Sequence, residues 1–338
     1  MALAFVNCKT GGEGSSILPG GHGKSGKPNL NVGCEGEDID TAFHNYSAQD
    51  TINWIPREMP DARKAYLNNS LTYGDLRIPK DDKLKSADGY PVIIMIHGGG
   101  WTQSYSLDYV APLTEALTGF GIATWNIDFR RIGNGGAYPR TFQDVGAATD
   151  YLRTLAPEWN LDLSRVIVMG HSSGGHLALW VASRANIDPA SPLYVANPLP
   201  IKGVVSLAGI PNLQRAYEYG GRSDVLTLLG GIDGAAALPL YPNTSPFHML
   251  PTGVPTSHIV GTEDNAWRVE ITHEYVNQAI ALGGEAHIDV PVNANHFDVI
   301  DPCGPAWPTI VQEVFWALGE QLPDGNLNKS KFCPVNGR

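Results

Sequence analysis

The stretch RVIVMGHSSGGHLALWVASRA, residues 165 to 185, constrains this chain more than any other. RVIVMG (165 to 170) is an unbroken apolar, β-branched run that reads as a buried strand, and GGHLALWVASRA (174 to 185) reads as a helix. Almost nothing separates them, so the backbone must turn sharply from strand to helix. Such a turn holds its central residue in a strained conformation, and glycines beside it let neighbouring chain segments come close. GHSSG at 170 to 174 fits G-x-S-x-G with Ser172 at the centre, whereas centring on Ser173 puts His171 where the first glycine is needed. Ser172 is therefore the candidate nucleophile. The backbone N–H of Ser173, at a helix start where donors are unpaired and the dipole favours negative charge, is a candidate oxyanion donor. The plainer alternative is a Gly/Ser helix start capped by Ser172.

The same alternation runs through the middle of the chain. Strands are expected at 91 to 97, 122 to 129, 201 to 209, 256 to 264 and 286 to 292, and helices at 107 to 121, 141 to 156, 269 to 284 and 305 to 322. Strands alternating with helices of this length give right-handed βαβ crossovers and a mostly parallel sheet covered on both faces, an α/β fold. Ligands of such sheets bind at the carboxyl ends of the strands.

A second motif, HGGGW at 97 to 101, stands at the end of the strand PVIIMI. Its glycines let the N–H groups of Gly98 and Gly99 turn toward a developing oxyanion, each such donor contributing roughly 3 kcal/mol to the transition state. His97, His171 and His176 read as structural rather than as the base. With the serine in the middle of the chain, an acid and then a histidine are to be sought after it. Asp264 in GTED follows one expected strand end, with Glu263 as the fallback; His296 in NANHFDVID follows the next. Of the ten histidines only His296 lies both beyond the acid and past a strand end, since His273 falls on an expected helix and His287 at a strand's start.

Composition narrows the partners. The 338 residues are 43% hydrophobic and 17% charged, with no apolar run long enough to span a bilayer, and the net charge of -11 comes without a basic run. Nucleic acid and anionic membranes are disfavoured as partners, and a small-molecule substrate is expected. No ligand cluster or phosphate-binding loop suggests a metal or organic cofactor, and none is expected. Residues 1–45, rich in Gly, Ser, Asn and Pro, read as an irregular arm, 46–327 as one catalytic domain, and 328–338 as a tail. The four cysteines, Cys8, Cys34, Cys303 and Cys333, all lie toward the two ends, which speaks against a catalytic thiol. They are either two disulfides in an oxidising, secretory compartment or four free thiols in the cytoplasm; the start MALAFVNCKTGG carries no complete signal peptide. Sequons begin at Asn45, Asn68, Asn243 and Asn328, about as many as chance supplies.

With HGGGW, WNIDFRRIGNGGAYPRTFQDV, GHSSGGHLALW, GTED and NHFDVIDP in view, residues 65 to 322 resemble an α/β-hydrolase of the esterase/lipase type. The nearest branches are the hormone-sensitive-lipase-like, kynurenine-formamidase-like and prolyl-oligopeptidase-like ones. The resemblance implies a sheet of about eight strands with a short cap, the triad of Ser172, Asp264 and His296, and a structural role for Arg130, Arg131, Pro139 and Asp144, with an Arg and Asp pairing that braces the loops beneath the site. It departs after the acid, where many relatives have Val-Pro and this chain has Asn-Ala-Trp-Arg, which brings Trp267 near the site. In this fold residues 210 to 255 usually contribute to the cap. Tyr217, Tyr219 and Phe247 from it, with Trp101, suggest an aromatic-lined pocket for a compact group. The expected activity is serine hydrolysis of small carboxylic esters. The alternatives are a lactonase, an arylformamidase, or a fold member redirected to a non-hydrolytic biosynthetic step.

Overall fold

All seven residues of strand β3 (Tyr90–Ile96) are buried, and their side chains alternate between two separate apolar clusters. Val92, Ile94 and Ile96 enter one and Ile93 and Met95 the other, so this strand needs cover on both faces. Each aliphatic side chain contributes about 2 kcal/mol by leaving water. The protein is described by a computed structural model covering residues 58–322. The expected arm and tail, Cys8, Cys34, Cys333, and the sequons at Asn45 and Asn328 lie outside the described residues.

The sheet has eight strands in the order β1-β2-β4-β3-β5-β6-β7-β8: β1 (Ala62–Ala65), β2 (Tyr73–Arg77), β3, β4 (Ala123–Ile127), β5 (Leu161–His171), β6 (Gly203–Leu207), β7 (Thr256–Ile259) and β8 (Ala286–Asp289). β1 and β2 pair antiparallel with each other and β2 with β4; every other pairing is parallel. Helix α1 (Ala111–Thr118) follows β3; α2 (Arg140–Asp150) and α3 (Leu152–Trp159) follow β4; α4 (Ser173–Ala182) follows β5. Four short helices, α5 (Leu213–Glu218), α6 (Asp224–Leu228), α7 (Gly234–Ala237) and α8 (Tyr241–Thr244), form the cap between β6 and β7. The chain closes with α9 (Ala266–Ala281) and α10 (Trp307–Leu318). Leu113 and Leu117 of α1 share a cluster with Ile310, Val311 and Val314 of α10. Phe142, Leu155, Leu177 and Tyr275, from α2, α3, α4 and α9, pack on the opposite face. No helix among the described residues is long and apolar enough to cross a membrane.

Sequence and structure differ where polar residues are paired within the sheet. β1 (ARKA) and β2 (YGDLR) are too polar to stand out as strands, yet Arg63 lies opposite Asp75 in the register and holds its carboxylate at 2.6 and 2.8 Å. β5 starts at Leu161, ahead of the expected 165, because Asp162 accepts from Ser164 and from Arg165 and so satisfies the polar stretch inside the strand. The single helix expected at 141 to 156 is two, parted at Tyr151, and the expected helix at 107 begins as a 3-10 turn, Leu107–Val110. Cys303 is buried and disulfide-bonded.

The Arg–Asp brace is Arg130 with Asp144. The fully buried Asp144 carboxylate accepts the backbone N–H of Arg130 at 3.0 Å and its guanidinium at 2.8 and 2.6 Å, holding the chain beyond β4 onto α2. Asp144→Asn keeps the shape but loses the charge that three donors converge on. It is expected to cost about 3 kcal/mol, read as a lowered urea midpoint with an unchanged slope.

Candidate active site

The strand-to-helix turn after β5 is closed by backbone touching backbone. A Cβ on Gly170 would stand 2.2 Å from the carbonyl oxygen of Gly174, and one on Gly174 would stand 2.1 Å from that of Ile96. Neither position admits a side chain. Between them Ser172 adopts φ 56°, ψ -119°, a conformation that costs a non-glycine residue of order 1–3 kcal/mol and thrusts its side chain out of the turn. Its N–H is anchored on the carbonyl of Leu207 at 2.8 Å.

Three side chains from three separate loops meet there. Ser172 Oγ lies 3.1 Å from His296 Nε2, and His296 Nδ1 lies 2.7 Å from Asp264 Oδ2. The loops carrying Asp264 and His296 are laced together: Glu263 N–H donates to Ala294 O at 2.9 Å, and a Cβ on Gly261 would stand 1.9 Å from that same oxygen. Glu263 itself points to solvent, while the Asp264 side chain is fully buried. The other carboxylate oxygen, Oδ1, accepts from Asn265 N–H at 2.6 Å and from Arg268 Nε at 3.1 Å. Burial raises the Asp264 carboxyl, but the hydrogen bond and charge of His296, Arg268 and the Asn265 amide together bring it well below the usual carboxylate range. Burial, then Arg268, push the His296 imidazole down, against the pull of Asp264. A neutral His296 must place its one proton on Nδ1, toward a carboxylate that only accepts, which leaves the Nε2 lone pair for the serine hydroxyl.

Around this line the donors sort themselves. Gly98 N–H is bound to the Tyr109 hydroxyl, so Gly98, one of the expected oxyanion donors, has its N–H committed elsewhere. The N–H groups of Gly99 and Gly100 find no acceptor among the described residues, and that of Ser173 stands unpaired in the first turn of α4. Gly100 therefore replaces Gly98 as a free donor. Glycine is required in this loop because Gly99 and Gly100 both sit at positive φ, 108° and 62°. His97 is buried and pushed down to about 3 by burial and by Arg131, so it stays neutral; its Nδ1 bonds Gly98 O at 2.8 Å and its Nε2 faces Arg131 at 3.1 Å. Arg131 is held in turn by Asp128.

His171 continues from Tyr109. The hydroxyl lies 2.9 Å from His171 Nδ1, and His171 Nε2 lies 2.8 Å from the backbone oxygen of His296. Burial and the neighbouring His296 push His171 well down, so it is a neutral link that donates to the base's own carbonyl.

The expected pocket residues are dispersed. Trp101 is buried, its indole donating to His176 Nδ1 at 3.1 Å and its backbone N–H to Ser173 Oγ at 3.2 Å, so it braces the loop to α4 and presents no wall to a ligand. Tyr219 is exposed beneath the Arg215 guanidinium; Tyr217 packs over Gly234, and Phe247 packs on the core beside His248. Trp267 lies over Gly220 with the Arg268 guanidinium carbon 4.6 Å from its ring centre, next to the acid. Tyr105, Tyr109, His171, Arg222, Arg268 and Phe297 also border the site, and of these only His171 carried a sequence signal, as the x of G-x-S-x-G. From the cap, Arg222 is paired with Asp224, and both groups reach the Cα of Gly100 closely enough that a Cβ there would meet them at 3.3 and 3.1 Å. Away from this site, His287, Asp289 and Glu313 bring ligand atoms within 4.8 Å of one another on β8 and α10. The hydrogen bond to Glu313 raises the His287 imidazole, so the group is read as an ion pair.

Known proteins share stretches of this sequence and its fold. Over 99 residues the chain is 34% identical to the non-reducing polyketide synthase pkbA of Emericella nidulans, a match covering 27% of this chain and 4% of that protein. Over 107 residues it is 32% identical to the carboxylesterase NlhH of Mycobacterium tuberculosis, covering 31% and 33%. The matches to these two thus span a third or less of each protein's length. Among solved structures, a truncated carbohydrate esterase from gut microbiota superposes with TM-score 0.66 at 20% identity, covering 78% of this chain and 98% of that one. Propionate-bound Est2, an esterase of Thermogutta terrifontis, superposes with TM-score 0.60 at 21% identity, covering 78% and 96%. Residues 75–277, more than half of the chain, match the BD-FAE family, and the chain belongs to that family of α/β-hydrolase-fold esterases.

Proposed function

We propose that the protein is a serine hydrolase of small carboxylic esters, acting through an acyl-enzyme on Ser172. The observation that carries this reading is the unbroken line from Ser172 Oγ through both His296 nitrogens to a fully buried carboxylate, at 3.1 and 2.7 Å. The Ser172 oxygen attacks the acyl carbon as its proton passes to His296 Nε2, and Asp264 orients the imidazole and stabilises its charged form. The oxyanion that forms is received by the N–H groups of Gly99, Gly100 and Ser173. His296 then gives its proton to the departing alkoxide, and the acyl group stays on Ser172. Water, activated by the same imidazole, attacks the ester and returns the serine.

Trp267 and Phe297, whose ring centre lies 5.3 Å from that of His296, offer apolar walls for a short acyl or alcohol group. Est2, which has this fold, was determined with propionate bound, which supports a short-chain preference. A lactone or an arylformamide would meet the same groups. The likeness of one stretch to a polyketide synthase favours, as second reading, a biosynthetic acyl substrate whose cleavage is redirected.

Turnover of p-nitrophenyl esters is expected to peak at short acyl chains. Ser172→Ala and His296→Ala should each lower kcat by about 10⁵–10⁶-fold, with circular dichroism unchanged. No turnover of any ester by a protein whose Ser172 still reacts with a fluorophosphonate would move the assignment to the second reading. Tyr109→Phe removes both the acceptor of Gly98 N–H and the donor to His171. Leaving those buried groups unpaired should cost about 1–3 kcal/mol of stability, and kcat should fall more than KM rises, because the oxyanion loop is no longer held against the base.

A further inference from the structure

Arg268 is placed where a cation is hard to accommodate. It stands in the first turn of α9, at the positive end of the helix dipole, with 3% of its side chain exposed. Its Nε donates to Asp264 Oδ1 at 3.1 Å, its Nη1 donates to the carbonyl oxygen of Ala208 at 3.0 Å, and its guanidinium lies against the face of Trp267. One of the acceptors it meets is served without it, since Asp264 Oδ1 already takes the Asn265 amide at 2.6 Å. What the position achieves is that one carboxylate is gripped from opposite sides, by Arg268 on Oδ1 and by the base on Oδ2.

We propose that Arg268 is a positioning residue that holds Asp264 and draws its charge away from His296, keeping the imidazole unprotonated and able to act as base in mildly acidic solution. This rests on the reading of Ser172, His296 and Asp264 as the catalytic line. A carboxylate stabilises an imidazolium by its negative charge, and a second cation on the same carboxylate opposes that stabilisation. The other groups around His296 do not cancel the effect. From β5, His171 lies with its ring centre 4.7 Å away and is neutral. From the cap, Arg222 adds a further cation, itself paired with Asp224. On the base's own loop, the Asp298 carboxylate is turned back to the Asn295 N–H at 2.6 Å. Among the described residues Asp264 is the anion hydrogen-bonded to the imidazole, and Arg268 shares it. The sign follows: burial and Arg268 lower the imidazole pKa, so the unprotonated, active form persists to lower pH and the acid limb of the rate profile moves down.

The test is the pH dependence of kcat/KM for a short p-nitrophenyl ester and, separately from turnover, of the rate of inactivation by a fluorophosphonate. For the wild type, both acid limbs should have their midpoint below the ordinary imidazole value of 6.5. Arg268→Gln should move both midpoints up by roughly one pH unit, while Arg268→Lys, which keeps a cation on Asp264, should stay within about 0.3 unit of the wild type. A purely structural arginine would lower the rate in both variants without moving either limb, and that result would overturn the proposal. So would a wild-type midpoint at or above 6.5, a measurement that stands even if the Gln variant does not fold. Loss of labelling and turnover in Ser172→Ala keeps the catalytic reading whatever the limbs do; retention of both would remove that reading itself.

Discussion

The contact on which the site depends joins backbone to backbone, where the first turn of α4 meets the end of β3. Gly174 lies so close to the Ile96 carbonyl, and Gly170 to that of Gly174, that strand, turn and helix have only one way of fitting together. That fit holds Ser172 in a backbone conformation a serine would not choose and directs the N–H of Ser173 outward. Because β3 carries the glycine loop at its end, the same contact places Gly98 beside the serine, where a Cβ would stand 2.9 Å from that of Ser172. A strained residue survives only where its surroundings over-determine it, and here they are two central strands buried on both faces.

A second layer of order comes from hydrogen bonds whose direction is forced. Gly98 N–H can only donate, so the Tyr109 oxygen accepts; the Tyr109 proton must then go to His171 Nδ1, and His171 donates from Nε2 to the carbonyl of His296. One chain of three bonds thus links the oxyanion loop, the nucleophile turn and the base loop, and it runs through a histidine that burial keeps neutral. Protonating His171 would put a proton on Nδ1 and reverse the Tyr109–His171 link, leaving the Tyr109 proton without this acceptor. Trp101 and His176 make a parallel brace: the indole donates to His176 Nδ1, and His176 Nε2 bonds Thr244 O at 2.8 Å, tying the glycine loop to the cap.

Residues whose type and spacing follow from chemistry were legible in the sequence, and those placed by packing were not. Ser172, Asp264 and His296 could be named as candidates because each stands just past a strand end in the order that the fold dictates, and the mostly parallel sheet follows from the alternation of apolar runs, which marks the six strands from β3 to β8; the count of eight comes only with the resemblance. Which glycine N–H is left without an acceptor was not legible: it depends on a tyrosine from the next element capturing Gly98. Trp101 reads as a pocket aromatic because it follows the loop, yet its φ of 58° turns it under the loop. Arg268 gives no signal, since an arginine in a helix's first turn is ordinarily exposed. β1 and β2 were silent for a related reason, their polar residues being paired with partners on neighbouring strands and loops.

The site and the fold respond to acid in ways that oppose each other. His97, His176 and His258 are buried and pushed down by that burial to about 3, 4 and 3, and His171 lies well below 6.5 as well. Groups with a depressed folded pKa contribute stability that is present above the unfolded value and is lost as pH falls. Between 6.5 and the folded value the unfolded chain binds a proton that the folded chain refuses, at roughly 1.4 kcal/mol per pH unit for each. A base kept unprotonated to lower pH therefore gains working range in the window where four neutral histidines begin to favour unfolding. On the proposed reading, Arg268 extends catalysis toward acid only as far as the surrounding core stays folded, so the lower limit of activity would belong to the fold as much as to His296.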